Sequence, residues 1–150
     1  MTVIIAYGRQ MGSDSMSFCN GIGYPVAHPK IARTPDGSLV GAAGSSIDCE
    51  IHQKWAQAGM DFDNLPDFSN GNDKEGVVWL WLRQDGRLFF GDHYFHVHEV
   101  SLPTAIGADI AAIYAEALIA GGCSLKKALT ITLKKCNNVG GEPFIMSLPR

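Results

Sequence analysis

Apolar residues fall along this chain in three kinds of pattern: unbroken runs, short alternating stretches and helical stripes. Thr2-Val3-Ile4-Ile5-Ala6-Tyr7 is apolar almost throughout, and no polar residue interrupts Val77-Val78-Trp79-Leu80-Trp81-Leu82. Runs of this length fit strands covered on both faces. A turn at Gly8–Gly12 leads into a returning strand at Met11–Ser15, and residues 17–29 read as irregular, punctuated by Gly21, Gly23, Pro25 and Pro29. Lys30-Ile31-Ala32-Arg33 and Ser38–Ala43 flank Thr34-Pro35-Asp36-Gly37, a hairpin turn by its proline and glycine. Gly44 ends that strand and Ser45 or Ser46 caps a helix. Ile47, Ile51 and Trp55, at i, i+4 and i+8, predict its buried stripe, and Gly59 its end.

Residues 61–75 are polar, with Pro66, Asn70-Gly71 and Asn72-Asp73, and read as a surface loop. After the 77–82 strand, Asp85-Gly86 signals a hairpin, with strands near 87–91 and 94–100. Pro103 ends this pattern. A helix is predicted over Gly107–Gly121, with Ile110, Ile113, Tyr114, Ala117 and Leu118 on its inner side and Ala111, Ala112 and Ala115 allowing close packing. A second helix runs from the Ser124 cap to about Asn137, with Leu125, Ala128, Leu129 and Leu133 inward; Gly140-Gly141 then turns the chain into a strand at Phe144–Leu148. Strands at both ends of the chain need cover. Two stacked sheets with helices outside, a four-layer αββα sandwich of α+β class, meet that need.

A length of 150 residues suggests one domain, residues 1–150, able to bury a core. With 46% hydrophobic and 18% charged residues the chain is globular rather than disordered. The net charge of −3 and the lack of a basic run give nucleic acid or an acidic membrane no hold on it. No apolar segment approaches the roughly 20 residues of a membrane helix, and the first residues lack the regions of a signal peptide, so the expected location is the cytoplasm. Cys19, Cys49, Cys123 and Cys136 form no C-x-x-C pair and are expected as free thiols.

Thr2, directly after Met1, brings chemistry into this frame. With Met1 removed, Thr2 carries a hydroxyl and a free α-amine, whose unperturbed pKa of about 7.7–8.0 makes it a general base near neutral pH. Three more residues are candidates to converge on it. Asp14 sits near the end of a strand that pairs with the first, Lys30 opens the next hairpin, and Gly44 stands at a helix start, where main-chain N–H groups can bind developing negative charge. In this set Thr2 attacks a carbonyl and its amine takes the proton through a water. The Lys30 cation keeps that amine neutral, Asp14 orients Lys30, and the Gly44 N–H holds the oxyanion. Taken singly, Thr2 is a strand residue behind a start methionine, and Asp14 and Lys30 an ordinary ion pair. His96 and His98 share a strand face, but Glu99 points to the other one, so an exposed strand face is favoured over a metal site. Trp79 and Trp81 read as core, and Cys19 and Cys49 have no local base that would make them nucleophiles.

The runs Thr2–Tyr7, Gly12-Ser13-Asp14-Ser15, Pro29-Lys30-Ile31 and Gly41-Ala42-Ala43-Gly44-Ser45 resemble the N-terminal half of proteasome β-type subunits, above all the bacterial HslV peptidase and its short phage-encoded relatives. Ala105-Ile106-Gly107 before a small-residue helix, Ala120-Gly121-Gly122 and Gly140-Gly141 extend the resemblance over most of the chain. It implies an N-terminal-nucleophile hydrolase of αββα fold with catalytic Thr2, Asp14, Lys30 and Gly44 and no cofactor or metal. It also implies peptide or protein substrates, a homo-oligomer that is a ring in the family, and an ATPase unfoldase. The chain departs from the family at Ala108, where a serine is usual, followed by Asp109, a candidate stand-in. It departs again at Cys136, Asn137 and Asn138, where an aspartate is usual. Two other readings therefore stay open: a catalytically inactive structural or assembly subunit of the same fold, and an amidase acting on a small molecule.

Overall fold

The computed structural model describes residues 1–68 and 76–150, without the side chain of Cys19. The turn signals Asn70-Gly71 and Asn72-Asp73 lie outside the described residues; residues 61–68 carry no helix or strand. The chain starts with β1 (Val3–Tyr7), β2 (Gln10–Ser13), β3 (Met16–Cys19), β4 (Ile22–Pro25), β5 (Ile31–Arg33) and β6 (Leu39–Gly44). Helix α1 (Ser46–Gln57) follows, then β7 (Val77–Leu82), β8 (Leu88–Asp92), β9 (Val97–Val100) and β10 (Thr104–Gly107). The chain closes with α2 (Asp109–Ala120), α3 (Leu125–Lys135) and β11 (Phe144–Ser147).

The strands form a four-stranded sheet in the order β10-β1-β2-β11, a five-stranded sheet β5-β6-β7-β8-β9, and the separate pair β3-β4. All described pairings are antiparallel. The alternation of β1 sets the core. Val3 and Ile5 point to a cluster with Ala111, Ala115, Leu125 and Leu129 of α2 and α3. Ile4 and Ala6 point the other way, to Met11, Ile31, Leu39, Leu80 and Leu82 between the two large sheets. Beyond the second sheet, Val40, Ala42, Val77 and Trp79 pack against Trp55 and Ala56 of α1. A strand with all of Val3 to Ala6 fully buried must be apolar at consecutive positions, which is the pattern the sequence carries. No helix among the described residues is long and apolar enough to cross a membrane.

Several local expectations change. Residues 17–29 contain most of the β3–β4 pair, and Thr104–Gly107 is a strand at the edge beside β1. On α2 the inner face is Ala111, Ala112, Ala115 and Ile119, while Ile110 and Ile113 are 75% and 68% exposed and Tyr114 and Ala117 also face out. The small side chains let α2 lie close on β1 and β10, and the isoleucines are left outside. On α1 Ile47 is exposed and Ile51 half-buried; the buried face is Asp48, His52, Trp55 and Ala56. Trp79 is fully buried as expected, whereas Trp81 is only partly so.

Candidate active site

Thr2 directly precedes β1, and its main chain is held from the far edge of that strand's sheet. The Ala108 N–H donates to Thr2 O at 2.7 Å. Gly107, at φ +109°, makes this approach feasible, since a Cβ there would overlap the Thr2 carbonyl. On the other side of β1, the register Ile4↔Ser13 brings Asp14 alongside Val3, whose N–H donates to Asp14 Oδ1 at 3.2 Å. The positions of Thr2 and Asp14 are thus set by one sheet.

Lys30 enters from the other sheet, one residue before β5. Its Nζ lies 2.9 Å from both Asp14 carboxylate oxygens and 3.0 Å from Thr2 Oγ1. It also donates to the carbonyls of Met16 and, at 3.3 Å, Met1. Four of these five neighbours can only accept, so the group they surround is an ammonium. The Asp14 side chain is fully enclosed and that of Lys30 is 10% exposed. Burial pushes the Lys30 ammonium below the usual lysine range, against the opposing pull of Asp14. Burial likewise pushes the Asp14 carboxyl up, opposed first by Lys30 and then by the Val3 and Gly140 main chain. The direct contact of ammonium and carboxylate is what keeps both ionised in this enclosure. With a lone pair of Thr2 Oγ facing Lys30, its proton is left to another base.

Gly44 ends β6 one residue before Ser45, the N-cap residue of α1, at φ +138°. A Cβ there would overlap the Gly76 carbonyl oxygen, so glycine is required by both conformation and space. Two cavities, of about 380 and 490 Å³, flank Thr2, and Thr2, Gly44 and Ser46 line both. The smaller one runs along Lys30, Val40, Ala42 and α1, and the larger one reaches Gly107 and Ala108. Cys49 is in the wall of the smaller cavity; burial pushes its thiol up to about 12, which makes it an inert wall residue.

The structure brings Thr2, Asp14 and Lys30 into direct contact and sets Gly44 beside them. Ala108 reaches Thr2 through its main chain, and this buried residue is part of the lining of the larger cavity. Asp109 is exposed on the first turn of α2, and no described hydrogen bond or ion pair joins it to Thr2, Asp14 or Lys30. Sequence reasoning had no access to the Met16 carbonyl or the Ala108 N–H, which are main-chain groups supplied by topology. It also passed over Ser46, Cys49 and His52 as cavity-wall residues, although their spacing of three along α1 puts them on one helix face. Among the described residues no group of three or more His, Cys, Asp or Glu side chains is placed to hold a metal. His96 instead pairs with Asp92 at 3.4 Å and His98 lies beside Phe90.

No protein-family model matches the chain, and no curated protein does. Solved structures do. Thiobacillus denitrificans BPH is 17% identical with a TM-score of 0.61, covering 99% of this chain and 98% of its own. BPH in complex with epoxomicin is 16% identical with a TM-score of 0.60, covering 99% of each chain. Eukaryotic HslV from Trypanosoma brucei is 18% identical with a TM-score of 0.68, covering 100% of both chains. At this identity the likeness is one of fold: over its full length the chain is similar to HslV, and its described residues form a mixed α/β architecture of three helices and several sheets.

Proposed function

We propose that this chain is a threonine-type N-terminal-nucleophile hydrolase that cleaves peptide or other amide bonds with Thr2, once Met1 is removed. The observation that carries the proposal is the Lys30 ammonium, held by both oxygens of an enclosed Asp14 carboxylate and lying 3.0 Å from Thr2 Oγ1. Such a cation stabilises an alkoxide forming on Oγ and disfavours a second positive charge on the adjacent amine. The neutral amine takes the Oγ proton through a water as Oγ bonds to the substrate carbonyl carbon. The Gly44 N–H receives the oxyanion. The C–N bond then breaks, the leaving amine takes the proton, and water releases the acyl group from the Thr2 ester. Met1 is 58% exposed, which leaves it open to removal.

On this reading residues 1–150 form one domain, and the three hydrophobic clusters support four layers in the order helices, sheet, sheet, helix. With the resemblance of its motifs to HslV, peptide or protein substrates, a homo-oligomer or ring, an ATPase unfoldase and a cytoplasmic location belong to the same proposal. An alternative, an inactive structural or assembly subunit, is favoured by Ala108, which offers no hydroxyl beside Thr2, and by the exposed isoleucines of α2. Intact mass decides first: the mechanism requires loss of Met1. The purified chain is then exposed to epoxomicin, the ligand of the BPH complex. A covalent adduct mapped to Thr2, absent in Thr2→Ala, is the expected result. Quantitative retention of Met1, or no adduct and no hydrolysis on a chain that has lost Met1, overturns the hydrolase reading.

A further inference from the structure

The smaller cavity beside Thr2 lies between α1 and the chain segment that precedes Lys30. Ser46, Cys49, Glu50 and Gln53 line it from the helix. Their spacing of i, i+3, i+4 and i+7 makes them one helix face. Gln53 Nε2 donates to the Pro29 carbonyl at 2.8 Å and so ties the helix to the segment opposite. Val40 and Ala42, buried and apolar, line the cavity from β6. Histidines apart, Lys30 and Glu50 are the lining residues with charged side chains among the described residues. Their situations differ. The Lys30 ammonium lies 2.9 Å from both Asp14 oxygens, and that contact balances its charge. Glu50 pairs at 2.9 Å with Lys54, one turn further on, but the two side chains are 66% and 73% exposed. Lys54 is outside the lining. An exposed pair at this spacing is weak, so a second cation can share or replace it at little cost.

We infer that Glu50 is a specificity determinant which selects a long basic side chain, arginine or lysine, on the residue whose carbonyl Thr2 attacks. The inference rests on the reading of Thr2 as nucleophile, because adjacency to Thr2 is what assigns the cavity to that residue. Ser46 lines both cavities together with Thr2 and Gly44, so it marks the end of the helix face nearest the reaction. Glu50 comes four residues later, about 6 Å along the helix axis. The stem of arginine or lysine spans about that length. Its methylenes lie along Val40 and Ala42, and its charge is carried past Lys30 to an exposed carboxylate, where the head keeps part of its water. A cavity of about 380 Å³ has room for such a side chain. Leucine or methionine finds the same apolar wall without the ion pair. Glutamate or aspartate meets Glu50 as a like charge.

Two measurements test this, each comparing arginine with citrulline, its uncharged near-isostere. In hydrolysis, kcat/KM is read for matched fluorogenic peptides with one or the other before the scissile bond. The wild type prefers arginine by about two- to fivefold, the range of one exposed ion pair. It loses most of that preference in about 1 M salt, where the screening length falls to about 3 Å. Glu50→Gln brings the ratio to about one. Lys54→Gln, which removes the competing partner from outside the cavity, raises the ratio above wild type; a Glu50 that only braces the helix gives no such rise. In binding, calorimetry compares the same peptides, as C-terminal amides, on the Thr2→Ala protein, where no acyl transfer occurs. The same preference, and its loss when Glu50→Gln is added, is expected. An arginine preference in binding, in a chain that hydrolyses neither peptide with Thr2 intact, keeps the Glu50 assignment and sinks the threonine mechanism alone. Equal binding of the two amides, binding of neither, a preference unchanged by Glu50→Gln, or a ratio that Lys54→Gln leaves at or below wild type overturns the assignment.

Discussion

Replacing Lys30 by methionine separates what the ion pair does for the fold from what it does for the proposed reaction. Methionine keeps most of the stem but leaves Asp14 fully enclosed with no cation, only the main-chain N–H groups of Val3 and Gly140 remaining. Stripping one partner from a buried pair costs about 3–5 kcal/mol. For a chain of this size that is a fall in Tm of about 10 °C. The loss has a definite pH dependence. Burial already raises the Asp14 carboxyl, and without Lys30 its folded pKa rises further above the unfolded value of about 3.9. Between those two values the folded state holds more protons than the unfolded one, so stability falls as pH rises, at up to about 1.4 kcal/mol per unit. Denaturant titrations should find the variant close to wild type near pH 4 and furthest below it at pH 8. Adding Asp14→Asn removes the stranded charge and keeps an oxygen for the Val3 N–H, so it recovers most of the stability at pH 8. Hydrolysis stays lost in both variants, by at least about a hundredfold, the lower end for a residue acting on proton transfer. A Lys30→Met protein as stable as wild type at pH 8, or with a pH-independent deficit, would refute the account of the pair.

Three further outcomes are expected. Gly44→Ala puts a Cβ against the Gly76 carbonyl at φ +138°; it should lose about 1–3 kcal/mol by thermal melting and about 10²–10³ in kcat, and retention of both would remove Gly44 from the site. Thr2→Ser should keep hydrolysis measurable and Thr2→Ala should abolish it, with activity in Thr2→Ala showing that another nucleophile acts. His52→Phe should raise stability, and more so in acid. The wild-type imidazole, at about 3 in the fold against 6.5 unfolded, binds fewer protons folded, so wild-type stability drops as pH falls below 6.5, by about 2 kcal/mol at pH 5. Chemical denaturation at pH 7 and pH 5 should find the variant free of that drop, and equal drops in both proteins would show that His52 is not neutral in the fold.

What could be read ahead from the chain depended on how many packings its pattern allowed. The hairpin around Thr34-Pro35-Asp36-Gly37 was legible because its turn chemistry is local. Asp36 Oδ1 bonds the Thr34 hydroxyl and the Ser38 N–H, and Gly37 sits at φ +90°. Helix α2 was legible as a helix and not in its orientation. It is apolar nearly all round, so the pattern cannot choose a face, and the choice falls to the close approach that alanine allows against β1 and β10. The β3–β4 pair and β10 went unread because each strand is only four residues long and β4 and β10 carry glycine or proline at or beside them. Those are the elements that bring the Met16 carbonyl to Lys30, and Gly107 and the Ala108 N–H to Thr2. Asp14, Lys30 and Gly44 were legible as candidates through family spacing; their distances to Thr2 depend on how two sheets stack.

The site is the place where this fold concentrates groups that are costly to bury and positions that only glycine can fill. Replacing a buried ion pair by apolar side chains of similar volume is often neutral or stabilising, yet Asp14 and Lys30 stand enclosed between two sheets rich in leucine and isoleucine. His52, packed among tryptophans, has no hydrogen-bond partner for either nitrogen among the described residues. Gly44 and Gly107 end β6 and β10 at positive φ, where a Cβ would overlap a main-chain carbonyl oxygen. Each of these four features borders Thr2 or a cavity that opens on it. A chain used only as a scaffold gains nothing from concentrating such features around one hydroxyl, and replacing them one at a time should raise stability at His52 while lowering it at Lys30 and Gly44. The difference follows from what each change leaves behind: His52→Phe removes an unpaired group, Lys30→Met creates one, and Gly44→Ala adds an atom where the Gly76 carbonyl already stands.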